Sequence, residues 1–249
     1  MARGDAFAFH IIGAGRGGTS LLAGLVDAHP RCEVQFERHS IGLLLGQSLR
    51  PCEELPDFEA RVRARVARFI AACGDEAALR PDLLWGHKTT SEQINGLHRF
   101  GDIRVSGRAF DAIGHFVDQM AQTPTIFIIR DGRTCVSSKM RRARLSIEDA
   151  IRCWKFSIAL LRRTQASAAR LVVLKLEDLV TNPEQELRRV CVFLGVDYDP
   201  VMLQGTANTK MAPEYRRIGF SRHVTAPVDP DPPWLNQIAE ELYYCGYAF

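Results

Sequence analysis

The chain reads FAFHIIGAGRGGTSLLAGLV over residues 7–26, and this stretch determines the fold class. Residues 7–12 form a short apolar run that ends at Gly13, and a glycine-rich turn follows. The apolar residues after the turn recur at the spacing of a helix face: Leu21, Leu22, Leu25 and Val26. This order predicts a strand, a tight loop and a helix.

Strands and helices alternate along the rest of the chain. Residues 125–129, TIFII, are unbroken, apolar and rich in β-branched side chains, which is typical of a buried parallel strand. Further strands are predicted at 32–36 and 171–176. One helix is predicted at 58–72, and a second begins after a capping-box pattern at Ser146. Further helices are predicted from Thr181 to Gly195 and at 233–245, and a long loop is predicted at 207–232. The alternation predicts an α/β fold with a mainly parallel sheet, and residues 1–249 are interpreted as a single domain.

Composition excludes several classes of protein. The 249 residues are 46% apolar and 24% charged, as in an ordinary globular protein. The net charge of +3 is too small to indicate nucleic-acid binding. No apolar run reaches the roughly 18 residues of a membrane span, and the run at 7–12 is too short for a signal peptide. Seven scattered cysteines without a C-x-x-C pair indicate a reduced, cytoplasmic chain without a metal site.

The glycine-rich turn has the sequence expected of a phosphate-binding loop. A loop of this kind between a strand and a helix offers backbone N–H groups and the positive end of the helix to an anion. Its spacing matches the P-loop pattern G-x-x-x-x-G-K-[ST], except that Thr19 occupies the position of the lysine. The missing lysine argues against hydrolysis of ATP or GTP, although Arg16 still supplies positive charge. We therefore expect a P-loop-type three-layer sandwich, with a mainly parallel central sheet flanked by helices.

Four segments follow one another in the order and spacing of a known family. The first is residues 16–22, and the second is Asp27-Ala28-His29-Pro30 with Glu37. The third begins at Arg130 and has Ser138 eight residues later, and the fourth runs from Leu176 to Gly195. Together they resemble the sulfotransferases that use 3′-phosphoadenosine 5′-phosphosulfate (PAPS), most closely the tyrosylprotein sulfotransferases and their bacterial relatives. Residues 85–89 resemble the family's W-G-x-K-T pattern, and Leu176 stands where many relatives have Tyr.

The resemblance implies roles for named residues. The 5′-phosphosulfate would be held by residues of the first segment: Arg16, Gly17, Gly18, Thr19 and Ser20. The 3′-phosphate would be bound by Arg130 and Ser138, with Arg142 and Arg133 as helpers. Lys88 would cover the transferring group, and Arg16 would assist it in catalysis. Arg216, Arg217 and Arg222 are further candidates for a phosphate contact.

A general base is also required, because the acceptor hydroxyl must lose its proton. Glu37 is the preferred base, since it follows a predicted strand at the edge of the sheet where ligands bind in α/β folds. His87 is the alternative base, because an unperturbed histidine titrates near working pH. The sequence leaves both Glu37 and His87 open as the general base.

The sequence thus predicts a PAPS-dependent sulfotransferase that acts on a hydroxyl of a small molecule, sugar, lipid or phenol and releases adenosine 3′,5′-bisphosphate. A P-loop small-molecule kinase and a non-catalytic nucleotide-binding module remain alternatives. We expect no nucleic-acid partner, no membrane span and no metal, and we expect residues 38–84 and 200–235 to line the acceptor site.

Overall fold

A computed structural model describes residues 7–47, 57–98, 110–216, 219–220 and 229–248. Within these residues, five parallel strands form one sheet: β1 (Phe9–Gly13), β2 (Cys32–Phe36), β3 (Leu84–Thr90), β4 (Thr125–Ile129) and β5 (Leu171–Lys175). Their order across the sheet is β2-β3-β1-β4-β5. The chain leaves β1 toward β2 and later crosses to β4 on the opposite side, so the connections diverge beside β1. In open α/β sheets, ligands bind at the carboxyl ends of strands where such a divergence occurs.

The predicted strands at 32–36 and 125–129 are confirmed, and the predicted strand at 171–176 ends one residue earlier, at Lys175. Strand β3 was not predicted. Its sequence, LWGHKTT, contains Gly, His and Lys and lacks the apolar run expected of a strand that is buried on both faces. It nevertheless lies between β1 and β2, where backbone pairing on both sides holds it.

Helices flank the sheet. Their bounds are α1 (Thr19–Asp27), α2 (Phe58–Ala78), α3 (Ser91–Asn95), α4 (Ala112–Gln119), α5 (Gly132–Ala143), α6 (Ile147–Ser167), α7 (Leu176–Thr181), α8 (Pro183–Leu194) and α9 (Ala239–Tyr244). A single π-helical turn spans Ser40–Leu44. Short 3₁₀ turns span Gly96–His98, Pro200–Ala207, Pro213–Tyr215 and Leu235–Ile238.

The helix bounds differ from the predictions in three places. Helix α2 continues to Ala78, beyond the predicted end at residue 72. Asn182 separates α7 from α8, where one helix from Thr181 was predicted. The predicted helix at 233–245 is a 3₁₀ turn followed by the short α9. The loop predicted at 207–232 contains a 3₁₀ turn, and its residues 217–218 and 221–228 lie outside the described residues.

Two apolar cores lie on opposite faces of the sheet, because successive side chains of a strand point to opposite sides. Ile11 of β1 packs with Leu22 and Leu25 of α1 in one core. Ile12, the next residue, joins the other core, in which Phe69 and Trp154 are fully covered. The predicted three-layer α/β sandwich is therefore confirmed. None of the described helices has the combination of length and apolar character that a membrane crossing requires.

Candidate active site

A cleft of about 490 Å³ opens at the carboxyl edge of the sheet. Residues at or just beyond the ends of all five strands line it: Arg16 after β1, Glu37 after β2, Lys88 and Thr90 in β3, Arg130 after β4, and Leu176 after β5. Five of the lining side chains are basic (Arg16, Lys88, Arg130, Arg141 and Arg142), and two are acidic (Glu37 and Glu214). The cleft is therefore suited to an anionic ligand.

The glycine-rich loop closes tightly at the base of this cleft. The Gly17 N–H donates to the Ala14 carbonyl oxygen at 2.8 Å, and α1 begins two residues later. Gly18 has a φ of 98°, and a Cβ built there would lie 2.6 Å from Cδ1 of Leu176. Only glycine fits this position without moving its neighbours. The first N–H groups of α1 are thus presented at the cleft, where an anion can accept from them.

The residues predicted to contact the 3′-phosphate meet the loop from the other side. Arg16 Nε donates to Ser138 Oγ at 3.2 Å, and Arg130 Nη1 donates to the Arg16 carbonyl oxygen at 2.9 Å. The Arg16 guanidinium also lies 4.7 Å from the ring centre of Tyr215. Arg142, near the end of α5, lines the same cleft. The fold thus brings Arg16, Arg130, Ser138 and Arg142 together, although they are far apart in the sequence.

Arg133, predicted as a helper, does not line the cleft. Its guanidinium donates to both carboxylate oxygens of Asp131, at 3.1 Å from Nε to Oδ1 and 2.6 Å from Nη2 to Oδ2, and to the carbonyl oxygen of Pro230. Arg216 is likewise engaged with its own loop, donating to the carbonyl oxygens of Met211 and Thr209. Arg217 and Arg222 lie outside the described residues.

Lys88 and Glu37 form an ion pair at the end of the cleft nearest α1. Lys88 Nζ contacts Glu37 Oε1 and lies 3.2 Å from Ser20 Oγ. The Lys88 side chain is 3% exposed and that of Glu37 26% exposed, so the carboxylate faces the cleft and the ammonium is covered. Burial lowers the pKa of Lys88 to about 7, and the nearby charge of Glu92 opposes that shift. An anion bound beside Ser20 would favour the charged form of this lysine.

Glu37 is held by its backbone as well as by its side chain. Its φ is 60°, in the left-handed region that residues other than glycine rarely adopt. The Glu37 N–H donates to the Lys88 carbonyl oxygen at 3.0 Å, which fixes the turn after β2. Such strain persists only where the surrounding structure enforces it, and it is common at functional sites.

Four residues near the cleft were not recognised from the sequence: Ser40, Glu92, Gln93 and Lys139. Gln93 Nε2 donates to Glu37 Oε2 at 2.9 Å, and Gln93 Oε1 lies 2.9 Å from Ser40 Oγ. Glu92 Oε2 accepts from the N–H of Gly15 at 2.8 Å, and Glu92 Oε1 pairs with the buried Lys139. A signal was present in the sequence, because Thr90-x-x-Gln93, which begins two residues after Lys88, is a capping-box pattern.

His87 does not reach the cleft. It precedes Lys88 in β3, and alternation along the strand points it to the opposite face of the sheet. There it is fully buried, its ring lies 5.1 Å from that of Phe69, and its Nδ1 lies 3.1 Å from Thr89 Oγ1. Burial lowers the pKa of His87 well below its usual value. The alternative assignment of His87 as the base is therefore contradicted by its position.

The segments expected to line the acceptor site contribute unequally. Residues 200–235 supply Thr206, Glu214, Tyr215, Gly219 and Phe220 to the cleft wall. In the first segment, none of the described residues from 38–47 and 57–84 lines this cleft. The second segment therefore lies at the cleft and the described part of the first does not, and their contribution to an acceptor site stays a prediction.

Comparisons with known proteins agree with this geometry. A model of the sulfotransferase family matches residues 9–200, which is more than half of the chain, so the chain belongs to the sulfotransferase family. The match favours the sulfotransferase hypothesis over the kinase alternative. A search of curated protein sequences finds no significant match.

Two solved structures share the fold across nearly the whole chain. The sulfotransferase domain from the Synechococcus PCC 7002 olefin synthase has 18% identity and a TM-score of 0.64, with 97% of this chain and 95% of that chain covered. The sulfotransferase domain from the curacin biosynthetic pathway has 15% identity and a TM-score of 0.64, with 98% of each chain covered.

Proposed function

We propose that this protein transfers a sulfuryl group from PAPS to the hydroxyl of a small molecule, sugar, lipid or phenol. The observation that carries the proposal is the contact of Lys88 Nζ with both Glu37 and Ser20 at the mouth of the glycine-rich loop. The ammonium group of Lys88, next to the glycine-rich loop, therefore lies beside the partly exposed carboxylate of Glu37.

The residues of the cleft divide between the two ends of the donor. The loop N–H groups with Arg16, Thr19 and Ser20 would hold the 5′-phosphosulfate. Arg130, Ser138 and Arg142 would hold the 3′-phosphate, which a guanidinium can bind through two parallel hydrogen bonds. The excess of basic over acidic lining side chains fits the several negative charges of this nucleotide.

The donor supplies a sulfur atom that an oxygen nucleophile can attack, with a phosphate as the leaving group. Glu37 accepts the proton of the acceptor hydroxyl as that oxygen bonds to sulfur and the sulfur–phosphate oxygen bond breaks. Lys88 and Arg16 neutralise the charge that develops on the departing phosphate oxygen. Lys88 must loosen its contact with Glu37 to do so, which frees Oε1 of Glu37 to receive the proton.

A location in the cytoplasm forms part of the proposal, because the six cysteines of the described residues are all unpaired and thiols stay reduced there.

The test of the proposed activity has two arms. Thermal shift with adenosine 3′,5′-bisphosphate, ATP and GTP should give the largest stabilisation with the bisphosphate. Incubation with PAPS and a panel of phenols, sugars and lipids should then yield a product heavier by one SO₃. Preferential stabilisation by ATP would support the kinase alternative, and stabilisation by bisphosphate with no product from any acceptor would support the non-catalytic module.

A further inference from the structure

We propose that Gln93 is a positioning residue that holds the Glu37 carboxylate in line for proton transfer. The inference rests on the proposed function, since it concerns the same carboxylate. Gln93 is the third of the five residues of helix α3, and its side chain is buried beside Glu37. Gln93 is not itself one of the residues that line the cleft, and it lies behind Glu37 and Thr90, which do.

The orientation of the Gln93 amide is fixed by its neighbours. The N–H of Thr90 can only donate, and it lies 2.9 Å from one amide atom of Gln93, which must therefore be the oxygen Oε1. The Ser40 hydroxyl lies 2.9 Å from the same atom. The amide nitrogen Nε2 is left to point at Glu37 Oε2, which it approaches to 2.9 Å. A glutamine held in this way presents a donor to the carboxylate at all times.

The two oxygens of Glu37 thus have different partners. Lys88 contacts Oε1, and Gln93 donates to Oε2. When Lys88 turns toward an anionic ligand at Ser20, the contact at Oε1 is lost and Gln93 is the remaining side-chain partner of the carboxylate among the described residues. Without Gln93 the freed carboxylate could rotate on a backbone that is already in the left-handed region. Gln93 would therefore keep the orientation of the Glu37 carboxylate unchanged when Lys88 moves away from it.

Gln93 also closes a capping box through Thr90, so the test must separate this structural role from the positioning role. Gln93→Glu keeps an oxygen that accepts from the Thr90 N–H and changes only the donor facing Glu37 into a second carboxylate oxygen. Gln93→Met removes both interactions. Gln35→Met is the matched control, because Gln35 lies two residues before Glu37 and donates from Nε2 to a different carboxylate, Glu76 Oε2, at 3.1 Å.

Steady-state kinetics with PAPS and a phenol form the first measurement. Both Gln93 variants should lower kcat by about 10- to 150-fold, which is the range expected when a hydrogen bond to a charged group is lost. The KM for PAPS and the affinity for adenosine 3′,5′-bisphosphate should stay within about twofold, since Gln93 does not line the cleft. Gln35→Met should retain the wild-type kcat. A wild-type kcat in Gln93→Glu, or equal losses in kcat and in bisphosphate affinity, would overturn the inference.

The pH profile separates positioning from a general loss of structure. In Gln93→Glu, the acid limb of the kcat/KM profile should move to higher pH, because a neighbouring carboxylate disfavours a second negative charge. The charged group in contact with Glu37 is Lys88 of β3, and Arg16, Arg141, Arg142 and Glu214 line the same cleft. These groups are common to wild type and variant, so the difference between the profiles reports on position 93. An unshifted acid limb would contradict the assignment.

Crystal structures of the bisphosphate complexes provide a measurement that needs no turnover. In Gln93→Met the Glu37 carboxylate should occupy more than one position, whereas in wild type and Gln35→Met it should occupy one. A single, unchanged Glu37 position in Gln93→Met would refute the positioning role. If wild-type protein transfers no sulfuryl group to any acceptor, the proposed function fails, and that result is distinct from every result at position 93.

Discussion

Arg130 donates from Nη1 to the backbone carbonyl oxygen of Arg16 at 2.9 Å, which ties the end of β4 to the loop that follows β1. The two arginines are 114 residues apart in the sequence. Arg16 in turn reaches Ser138 on α5, so one chain of contacts joins the two predicted phosphate subsites. Loss of Arg130 should therefore affect both the 3′-phosphate contact and the support of the loop.

Arg130→Ala should weaken the binding of adenosine 3′,5′-bisphosphate by about 10- to 150-fold, the range given by losing a hydrogen bond to a charged group. The loss should be several-fold smaller for adenosine 5′-phosphate, which has no 3′-phosphate. Titration calorimetry with both ligands measures the difference. Arg152→Ala is the control, because Arg152 is an exposed residue that pairs with Asp149 on α6. Equal affinity of wild-type protein for the two ligands would rule out a 3′-phosphate site at Arg130.

Binding of the bisphosphate should also be coupled to proton uptake at Lys88. Burial lowers the pKa of this lysine to about 7 in the free protein, so its neutral form gains population as the pH rises through that value. An anion beside it favours the charged form and raises the pKa, so the complex takes up a proton from solution. Affinity should accordingly fall as pH rises above 7.

Calorimetry in two buffers with different ionisation enthalpies measures that uptake. The measurement belongs between pH 7.5 and 8.5, where a phosphate monoester with a pKa of about 6 is already doubly ionised. Wild type should take up between half a proton and one proton, as roughly expected from a pKa that crosses this range. Lys88→Met should bind more weakly and take up close to none. Uptake that is the same in the variant would exclude Lys88 as its source.

The parts of the site that lie next to each other in the sequence could be predicted from the local pattern, whereas distant residues such as Lys88, Arg130 and Ser138 could be predicted only from the resemblance to a family. Strand β1, the loop and helix α1 are consecutive in the sequence, so Arg16 and Ser20 could be recognised as loop residues from the sequence alone. Gln93 contacts Glu37 across 56 residues, and no local pattern specifies that partner. The capping-box motif that includes Gln93 predicts where a helix begins, and it does not predict which distant residue Gln93 contacts.

His87 shows how one missed strand changes the interpretation of a site. Because it is next to Lys88 in the sequence, His87 was the alternative to Glu37 as the general base. Once residues 84–90 are seen as a strand, alternation puts the two side chains on opposite faces. Strand β3 was not recognised because its sequence is polar. The polar residues have different places in the structure: Lys88 lines the cleft on one face of the sheet, and His87 lies in the buried cluster on the other.

Glu37→Gln should reduce turnover by about 10²–10⁴-fold, the usual contribution of a general base. The substitution keeps the shape of the side chain and removes its basicity, and bisphosphate affinity should stay within about threefold because other residues hold the nucleotide. The activity lost should shrink as the acceptor becomes a more acidic phenol. Initial rates across a series of substituted phenols provide the test. His87→Gln should keep kcat per folded molecule close to wild type, and the reverse result at the two positions would mean that Glu37 is not the base.

The buried histidines should make the protein sensitive to acid. His10 Nε2 lies 2.8 Å from Thr89 Oγ1, the atom that His87 also contacts, and both rings are fully covered. Burial lowers the pKa of His10 to about 3 and lowers that of His87 well below its usual value. The unfolded chain binds protons at these residues below pH 6.5 and the folded chain does not, so stability falls as pH drops through that value.

Between pH 7 and pH 5, each buried neutral histidine should reduce the free energy of unfolding by about 2 kcal/mol. Urea unfolding at the two pH values measures the loss, which includes contributions from other groups. His10→Gln cannot titrate and retains a polar atom for Thr89, so its loss should be smaller than that of wild type by about the same 2 kcal/mol. His115→Gln, on a half-buried position of α4, is the control and should change the loss much less. If His10→Gln and wild type lose equal stability between these pH values, His10 is protonated or solvated in the folded protein.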